Sequence, residues 1–282
     1  MENSERILLI TGATSGIGKA AATILAGKGY QMVLVGRNPA KLENVVKEIR
    51  SQTNNEAVHG LVADFADLEQ VRRLAGRFKE QFSHLDVLIN NAGGYFNKRQ
   101  RTVYGVEKTL LVNHLAPFLL TNLLFDSLYR STSARIVTVS SNAHENAGLD
   151  LNDLNLDRFY FGFSAYGRSK LANILFTYEL ARRLAGKNVT ANALHPGRVG
   201  TDIFKTDFSI LGGPLKWLME RISLTPEQGA DNTVYLASSP EVQGVTGKYY
   251  VKRKAVSSSP LSYDEKLARQ LWEVSERITG LF

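Results

Sequence analysis

Short apolar runs alternate along the chain with longer stretches in which apolar residues recur every three or four positions. The first kind predicts buried strands and the second amphipathic helices, as expected of βα units feeding a parallel sheet covered on both faces. Seven strands are predicted, at 6–10, 31–35, 60–63, 87–90, 135–139, 190–194 and 248–251. Helices fill most of the intervals, among them a long one at 104–130 and another at 165–185. The most apolar stretch, 110–128, is interrupted by Asn113, His114, Pro117, Asn122 and Asp126. It therefore falls short of the roughly 20 apolar residues that cross a bilayer. No repeat and no Pro/Gly/Ser-rich linker divides the sequence, so the expectation is one α/β domain over 1–282. Its central parallel sheet would have about seven strands with helices on both faces, and a helical tail would close the chain at about 262–279.

A glycine-rich turn follows the first predicted strand. Gly12-Ala13-Thr14-Ser15-Gly16-Ile17-Gly18 leads into an apolar helix predicted from Lys19 to Lys28. Glycines there permit a tight turn and let backbone N–H groups approach a pyrophosphate at the positive end of a helix. The spacing departs from the usual Gly-x-Gly-x-x-Gly fingerprint. Its position favours it, because a doubly wound, Rossmann-type sheet binds its ligand at the first strand. The second strand ends at Arg37, with Lys41 one helical turn on, where an acidic residue would accept bonds from a ribose 2′-hydroxyl. A guanidinium complements a 2′-phosphate instead, so NADP(H) is expected rather than NAD(H). Asp64-Phe65 and Asn90-Asn91-Ala92-Gly93 fall at the ends of the third and fourth strands, the edge where ligands gather. Asp67 with Gln70 has the spacing of a capping box for the helix that follows.

Tyr166 and Lys170 lie four apart, which on a helix stacks a phenol and an ammonium on one face. A cation beside a phenol favours the phenolate and lowers a pKa that is ordinarily about 10. The same spacing recurs in Tyr104 with Lys108 and Tyr250 with Lys254. Context separates them. Tyr104 opens the predicted long helix, and Tyr250 lies in a strand, where residues four apart are about 13 Å from each other. Only Tyr166 follows the strand that ends in Ser140-Ser141. Alternation points those two serines to opposite faces and leaves open which one joins the tyrosine.

Together, Thr11-Gly12-x-x-x-Gly16-x-Gly18, Asn90-Asn91-Ala92-Gly93, Asn113, Ser140-Ser141, Tyr166-x-x-x-Lys170 and Pro196-Gly197-x-Val199-x-Thr201 resemble the short-chain dehydrogenase/reductase family, in its order and over nearly the whole chain. The long interval between Ser141 and Tyr166, the stretch Leu194-His195-Pro196-Gly197 and the tail 247–280 are similar to its retinol dehydrogenase-like branch. The resemblance implies an NADP(H) cofactor across the C-terminal edge of the sheet. The Gly12–Gly18 turn, Arg37, Lys41, Asp64, Phe65, residues 90–93, Tyr166, Lys170, Pro196, Gly197, Val199 and Thr201 would contact it. It also implies an oxidoreductase in which Tyr166 protonates a carbonyl oxygen and Ser141, the serine the family pattern favours, polarises it. Lys170 would lower the tyrosine pKa and bond the nicotinamide ribose, and Asn113 would hold a water for proton relay. The alternative is a non-catalytic dinucleotide sensor on the same fold, which would have no need of the tyrosine acid.

Composition changes this picture little. A net charge of +7 comes from scattered basic residues and reads as a solvated surface, with no nucleic-acid site. The chain has no cysteine, so disulfides and thiolate metal sites are excluded, and its five histidines lack paired spacing, so no metal is expected. Gly162 to Gly167 has the wrong register for a Gly-x-Ser-x-Gly nucleophile elbow, which argues against a hydrolase. The first strand begins within a few residues of Met1, leaving no room for a signal segment or membrane anchor, and a cytoplasmic protein is expected. A homodimer through 104–130 and 165–185 follows by analogy with the family. Residues 203–224, with Phe204, Phe208 and Trp217 beside a Gly212-Gly213 hinge, are expected to form a lid over a small apolar carbonyl or alcohol substrate. Phe159, Tyr160, Phe161 and Phe163 are further candidate walls.

Overall fold

The computed structural model describes residues 6–197 and 224–281. Among them, eight strands form one sheet: β1 Ile7–Thr11, β2 Gln31–Gly36, β3 Val58–Val62, β4 Val87–Asn90, β5 Ala134–Val139, β6 Val189–His195, β7 Tyr249–Val251 and β8 Lys254–Val256. Their order is β3-β2-β1-β4-β5-β6-β7-β8, parallel from β3 through β7 with β8 antiparallel at the edge. The chain runs outward from β1 to β3, then crosses back to β4 on the other side of β1. That reversal opens a crevice at the C-terminal ends of β1 and β4, the topological switch point of a Rossmann-type sheet.

Successive strand residues enter opposite cores. Leu9, Val33, Val35, Leu88 and Ile136 pack beneath α3 (Leu68–Gln81), α5 (Ala116–Leu123), α7 (Gly162–Arg183) and α9 (Glu265–Thr279). Leu8, Ile10, Met32, Leu34, Val87, Ile89 and Val137 pack beneath α1 (Gly16–Gly27), α2 (Pro39–Thr53) and α8 (Pro226–Ser238). Burial of such a side chain contributes about 1.5–3 kcal/mol, so each strand is held from both sides. The α1 and α8 helices pack on each other, with the small residues Ala20, Ala21, Ala22 and Ala230 buried in the same core. Thr225 and Gln228 form the capping box that opens α8. No helix among the described residues is long and apolar enough to cross a membrane.

Three local features differ from the sequence expectation. First, β8 is additional. Its hairpin turns through Lys252 and Arg253, both left-handed at φ 49° and 62°, where sequence rules look for Asn-Gly. Side chains supply what glycine would have made easy. Arg253 forms an ion pair with Asp231, and its N–H donates to Asn232 Oδ1.

Second, the long helix begins at Lys108. It comprises α4 (Lys108–Leu110), a π-helical turn Leu111–Leu115, α5, and α6 (Phe125–Tyr129). The buried Glu107 carboxylate caps its start through the N–H groups of Thr109 and Leu110. Tyr104 lies in the turn before; its hydroxyl accepts from Leu68 N–H at 2.9 Å and donates to Asp67 at 3.1 Å, so it serves the start of α3. Third, Asp67 caps α3, but the Gln70 carbonyl oxygen reaches back to Asp64 N–H at 3.0 Å instead of to Asp67.

Candidate active site

The turn from β1 into α1 is shaped by backbone geometry. Gly12 and Gly16 hold φ of 67° and 52°, a region costly for any side chain. A Cβ on Gly18 would overlap the Gly12 carbonyl oxygen and the Asn91 amide nitrogen. Ser15 caps α1 without a side-chain hydrogen bond, and the first turn of the helix carries no acidic residue. The N–H groups at its positive end are thus left for an anion from outside, the environment a pyrophosphate needs.

Residues after β4 brace this turn. Asn91 Nδ2 donates to the carbonyls of Thr11 at 2.8 Å and Gly12 at 3.2 Å, while the N–H groups of Asn91 and Ala92 both donate to Thr11 Oγ1. Asn91 therefore acts through the turn, since its amide is already committed to the backbone. Asn90 points elsewhere, donating to Thr121 Oγ1 at 2.9 Å inside the helical layer. The Phe65 side chain is buried in the core, so a cofactor contact from this residue would come from its backbone. Asp64 remains at the sheet edge, half-buried, with Oδ1 accepting from Ala66 N–H. Gly36 at the end of β2 leaves room for the Thr14 methyl group, while Ile17 packs partly buried against the core. Arg37 and Lys41 are exposed beyond this strand end, and Arg37 makes no ion pair with the described residues.

The chemistry-bearing side chains converge one crevice wall away. Ser140 and Ser141 do point apart. Ser140 is buried and donates to the Lys170 carbonyl at 2.7 Å, tying β5 to α7, whereas Ser141 is half-buried on the other side, with its hydroxyl near enough to Tyr166 to lower the phenol's pKa. Lys170 Nζ donates to the Val139 carbonyl at 3.0 Å and stands 5.4 Å from the centre of the Tyr166 ring. A Cβ on Gly93 would lie 3.3 Å from Asn113 Oδ1 and 3.5 Å from Lys170 Nζ, so this glycine lets the β4 edge close on the cluster. Pro196-Gly197 follows β6, with Gly197 at φ 91°. Val199, Thr201, Phe204, Phe208, Trp217 and the expected lid lie outside the described residues.

Burial pushes the Tyr166 hydroxyl up to about 12, against a smaller lowering by Ser141. The Lys170 ammonium faces the ring and bonds the Val139 carbonyl. Burial also lowers Lys170 itself, to about 8. The chain thus holds a protonated phenol and a costly ammonium side by side.

Asn113 is likewise positioned differently from a simple water ligand. Its side chain is fully used: Oδ1 accepts from Gly94 N–H at 2.7 Å, and Nδ2 donates to the Gly94 carbonyl and Ser169 Oγ at 3.0 and 2.9 Å. In an α-helix its carbonyl would accept from residue 117, which is a proline with no N–H. The Asn113 carbonyl therefore lacks the donor that an α-helix would offer it, within the π-helical turn.

Sequence reasoning missed three supports. Thr11 anchors the glycine turn, Ser169 links Asn113 to the Tyr166 carbonyl, and Tyr95 packs edge-on against Tyr166 at 6.1 Å. Thr11, beside Gly12, and Ser169, beside Lys170, had a local signal, and Tyr95 had none. Phe159, Phe161 and Phe163 are exposed at the start of α7, next to the Tyr95–Asn97 segment that contacts Gly162.

The family model described as short chain dehydrogenase matches residues 6–210. A human polyprenol dehydrogenase is 40% identical over 286 residues, spanning 98% of this chain and 86% of its own. Human retinol dehydrogenase 13 is 41% identical over 284 residues, spanning 98% and 85%. A crystal structure of a short chain dehydrogenase from Escherichia coli CFT073 complexed with NADPH superimposes with a TM-score of 0.70 at 25% identity, covering 87% of this chain and 95% of that one.

Proposed function

Since this chain belongs to the short chain dehydrogenase family, in its retinol dehydrogenase-like branch, we propose that it interconverts an apolar alcohol and its aldehyde or ketone with NADP(H). The convergence of Ser141, Tyr166 and Lys170 at the mouth of the β1–β4 crevice carries the proposal. Relatives named for polyprenol and retinol support an apolar substrate, and a structural neighbour complexed with NADPH supports the cofactor.

The residues present fit such a dinucleotide. The uncapped α1 terminus and the Gly12–Gly18 turn would take its pyrophosphate, Arg37 and Lys41 a 2′-phosphate, and Asp64 the adenine side. When bound, the nicotinamide supplies or accepts the hydride. The chain's own part is to hold the carbonyl and move a proton. Ser141 donates a hydrogen bond to the substrate oxygen, where negative charge develops during reduction. Tyr166 delivers the proton to that oxygen, and a hydroxyl raised to about 12 is present at neutral pH in the protonated form that reduction needs. Lys170 bonds the nicotinamide ribose, and a water on the Asn113 carbonyl returns a proton to the pair. A dinucleotide sensor on the same fold would have no need of the tyrosine acid.

Tyr166→Phe tests this reading. Turnover across a panel of apolar aldehydes and ketones, followed by NADPH oxidation, should fall at least about a hundredfold, as expected for loss of a general acid. NADPH affinity should remain within about twofold. Full activity in this variant would overturn the mechanism.

A further inference from the structure

His144 has no place in the chemistry above, yet it is completely buried directly behind Ser141. Its Nδ1 is 2.6 Å from the Ser141 carbonyl, and Ser259 N–H points at its Nε2 from 3.0 Å. A carbonyl only accepts and a backbone N–H only donates, so both nitrogens have their roles fixed: Nδ1 carries the hydrogen and Nε2 is bare. The imidazole is therefore held neutral by its neighbours on two sides. Burial lowers its pKa in the same sense, against smaller opposing effects from the Ser141 bond and Glu145. The Tyr249 ring meets it edge-on at 5.0 Å and completes its enclosure.

Ser259 belongs to the C-terminal segment, past the end of the family match at residue 210. That segment is itself tied to the helix that bears Tyr166 and Lys170. Ser262 Oγ donates to the Ser259 carbonyl at 2.6 Å, and its single hydrogen is spent there. Ser258 must then donate to Ser262 Oγ, 2.6 Å away, and Tyr178 of α7 to Ser258 Oγ at 2.8 Å. The result is a one-directional series of hydrogen bonds from Tyr178 through Ser258 and Ser262 to the Ser259 carbonyl. From the N–H of the same residue it continues through His144 to the Ser141 carbonyl.

Resting on the proposed role of Ser141, we propose that His144 is a positioning residue through which the C-terminal turn Ser258–Ser262 fixes Ser141 relative to the Tyr166-bearing helix. Three turns of α7 separate Tyr178 from Tyr166, so the two ends of the clamp are referred to one rigid element. Without the imidazole, Ser141 is held by its own turn beyond β5, where its carbonyl accepts from the His144 backbone N–H and its Oγ from Ala143 N–H, each at 3.2 Å. A serine that must polarise a carbonyl needs its hydroxyl fixed more closely than such a turn provides, because misplacement of about 1 Å costs up to roughly a hundredfold in rate.

The test uses His144→Phe, which keeps an aromatic ring beside Tyr249 and removes both hydrogen bonds. The expected result is a kcat lowered by about thirtyfold, within the range set by small misplacements, with NADPH Kd unchanged within about twofold. His144→Asn, which retains a donor for the Ser141 carbonyl, should recover part of that loss. The decisive measurement is the double variant with Ser141→Ala. A residue that works through Ser141 has nothing left to position there, so His144→Phe should cost little further in that background. An equal loss in both backgrounds, or no loss from His144→Phe beside a slow Ser141→Ala enzyme, overturns this inference alone. Normal turnover by Ser141→Ala overturns the reading of the site and this inference with it.

Discussion

The glycine turn at 12–18 and the polar cluster of Asn113, Ser141, Tyr166 and Lys170 share one edge of one sheet but are built by opposite means. The turn recognises with backbone, and it is glycine at 12, 16 and 18, where space or positive φ excludes a side chain. Its groups are ordinary amides left unpaired at a surface, which water can satisfy until a ligand arrives. The cluster works mainly through side chains, and the pair at its centre is buried: Tyr166 and Lys170 are 7% and 4% exposed. One region is inexpensive to fold and intolerant of added atoms. The other carries an electrostatic penalty that substitution would relieve.

The largest expected effect is on that penalty. An unfolded lysine keeps its proton up to about pH 10.5, whereas Lys170 in the folded chain loses it near 8. Between those values the unfolded state binds more protons, so stability rises with pH across the window, and the full cost is present below pH 8. The difference corresponds to about 3 kcal/mol. Lys170→Met should therefore stabilise the cofactor-free protein by about that amount at pH 7 while abolishing turnover. Chemical denaturation at pH 7 and pH 10 checks the sign: the gap between variant and wild type should shrink at the higher pH. A gap independent of pH would remove the buried-charge account of the cluster.

Next in size is the opposite experiment on the turn. Gly18→Ala places a methyl group against the Gly12 carbonyl and the Asn91 amide, two groups that also hold the turn's shape. Overpacking of this kind costs about 1–3 kcal/mol, so NADPH binding should weaken by roughly tenfold to a hundredfold, read by fluorescence titration. The cluster's own chemistry should survive, seen as a kcat at saturating NADPH within about threefold of wild type. A kcat that collapsed while binding held would show that the two regions are not separable in this way.

The same contrast explains what was legible in the sequence. Glycines and strand periodicity are local signals, so the parallel sheet, the 12–18 turn and the switch point follow directly from the pattern. The address of Tyr166 after Ser141 separated it from Tyr104 and Tyr250 for a similarly local reason, the different elements in which they lie. What stayed hidden depends on contacts made across the fold. Nothing near Asn90 in sequence says that its amide turns to Thr121, nor that the Asn113 side chain is spent on Gly94 and Ser169. The eighth strand escaped because Lys252-Arg253 takes a conformation for which glycine is the usual mark, sustained by Asp231 and Asn232 from another element. Pro117 did carry a readable signal for the Asn113 carbonyl, since a proline four residues on removes its helical donor.

Arg37 belongs to neither pattern, and the smallest predicted effect concerns it. Its side chain is exposed at the end of β2, with Lys41 beside it on the first turn of α2. An exposed guanidinium gains little from low dielectric, so its contribution to a 2′-phosphate is a charge-assisted bond worth about 1.5–3 kcal/mol at best, and less in salt. NADPH should consequently bind at least about tenfold more tightly than NADH, and Arg37→Ala should remove most of that ratio while leaving NADH affinity unchanged. Lys41→Ala should have a smaller effect, because a single ammonium lacks the two-pronged geometry. Measured in rising salt, the NADPH preference should decline, whereas the backbone-held pyrophosphate, common to both cofactors, leaves no trace in the ratio. Equal affinities in the wild-type protein would remove the role given to Arg37. A preference insensitive to salt would instead place 2′-phosphate recognition on buried groups, making this end of the crevice resemble the catalytic cluster more than the glycine turn.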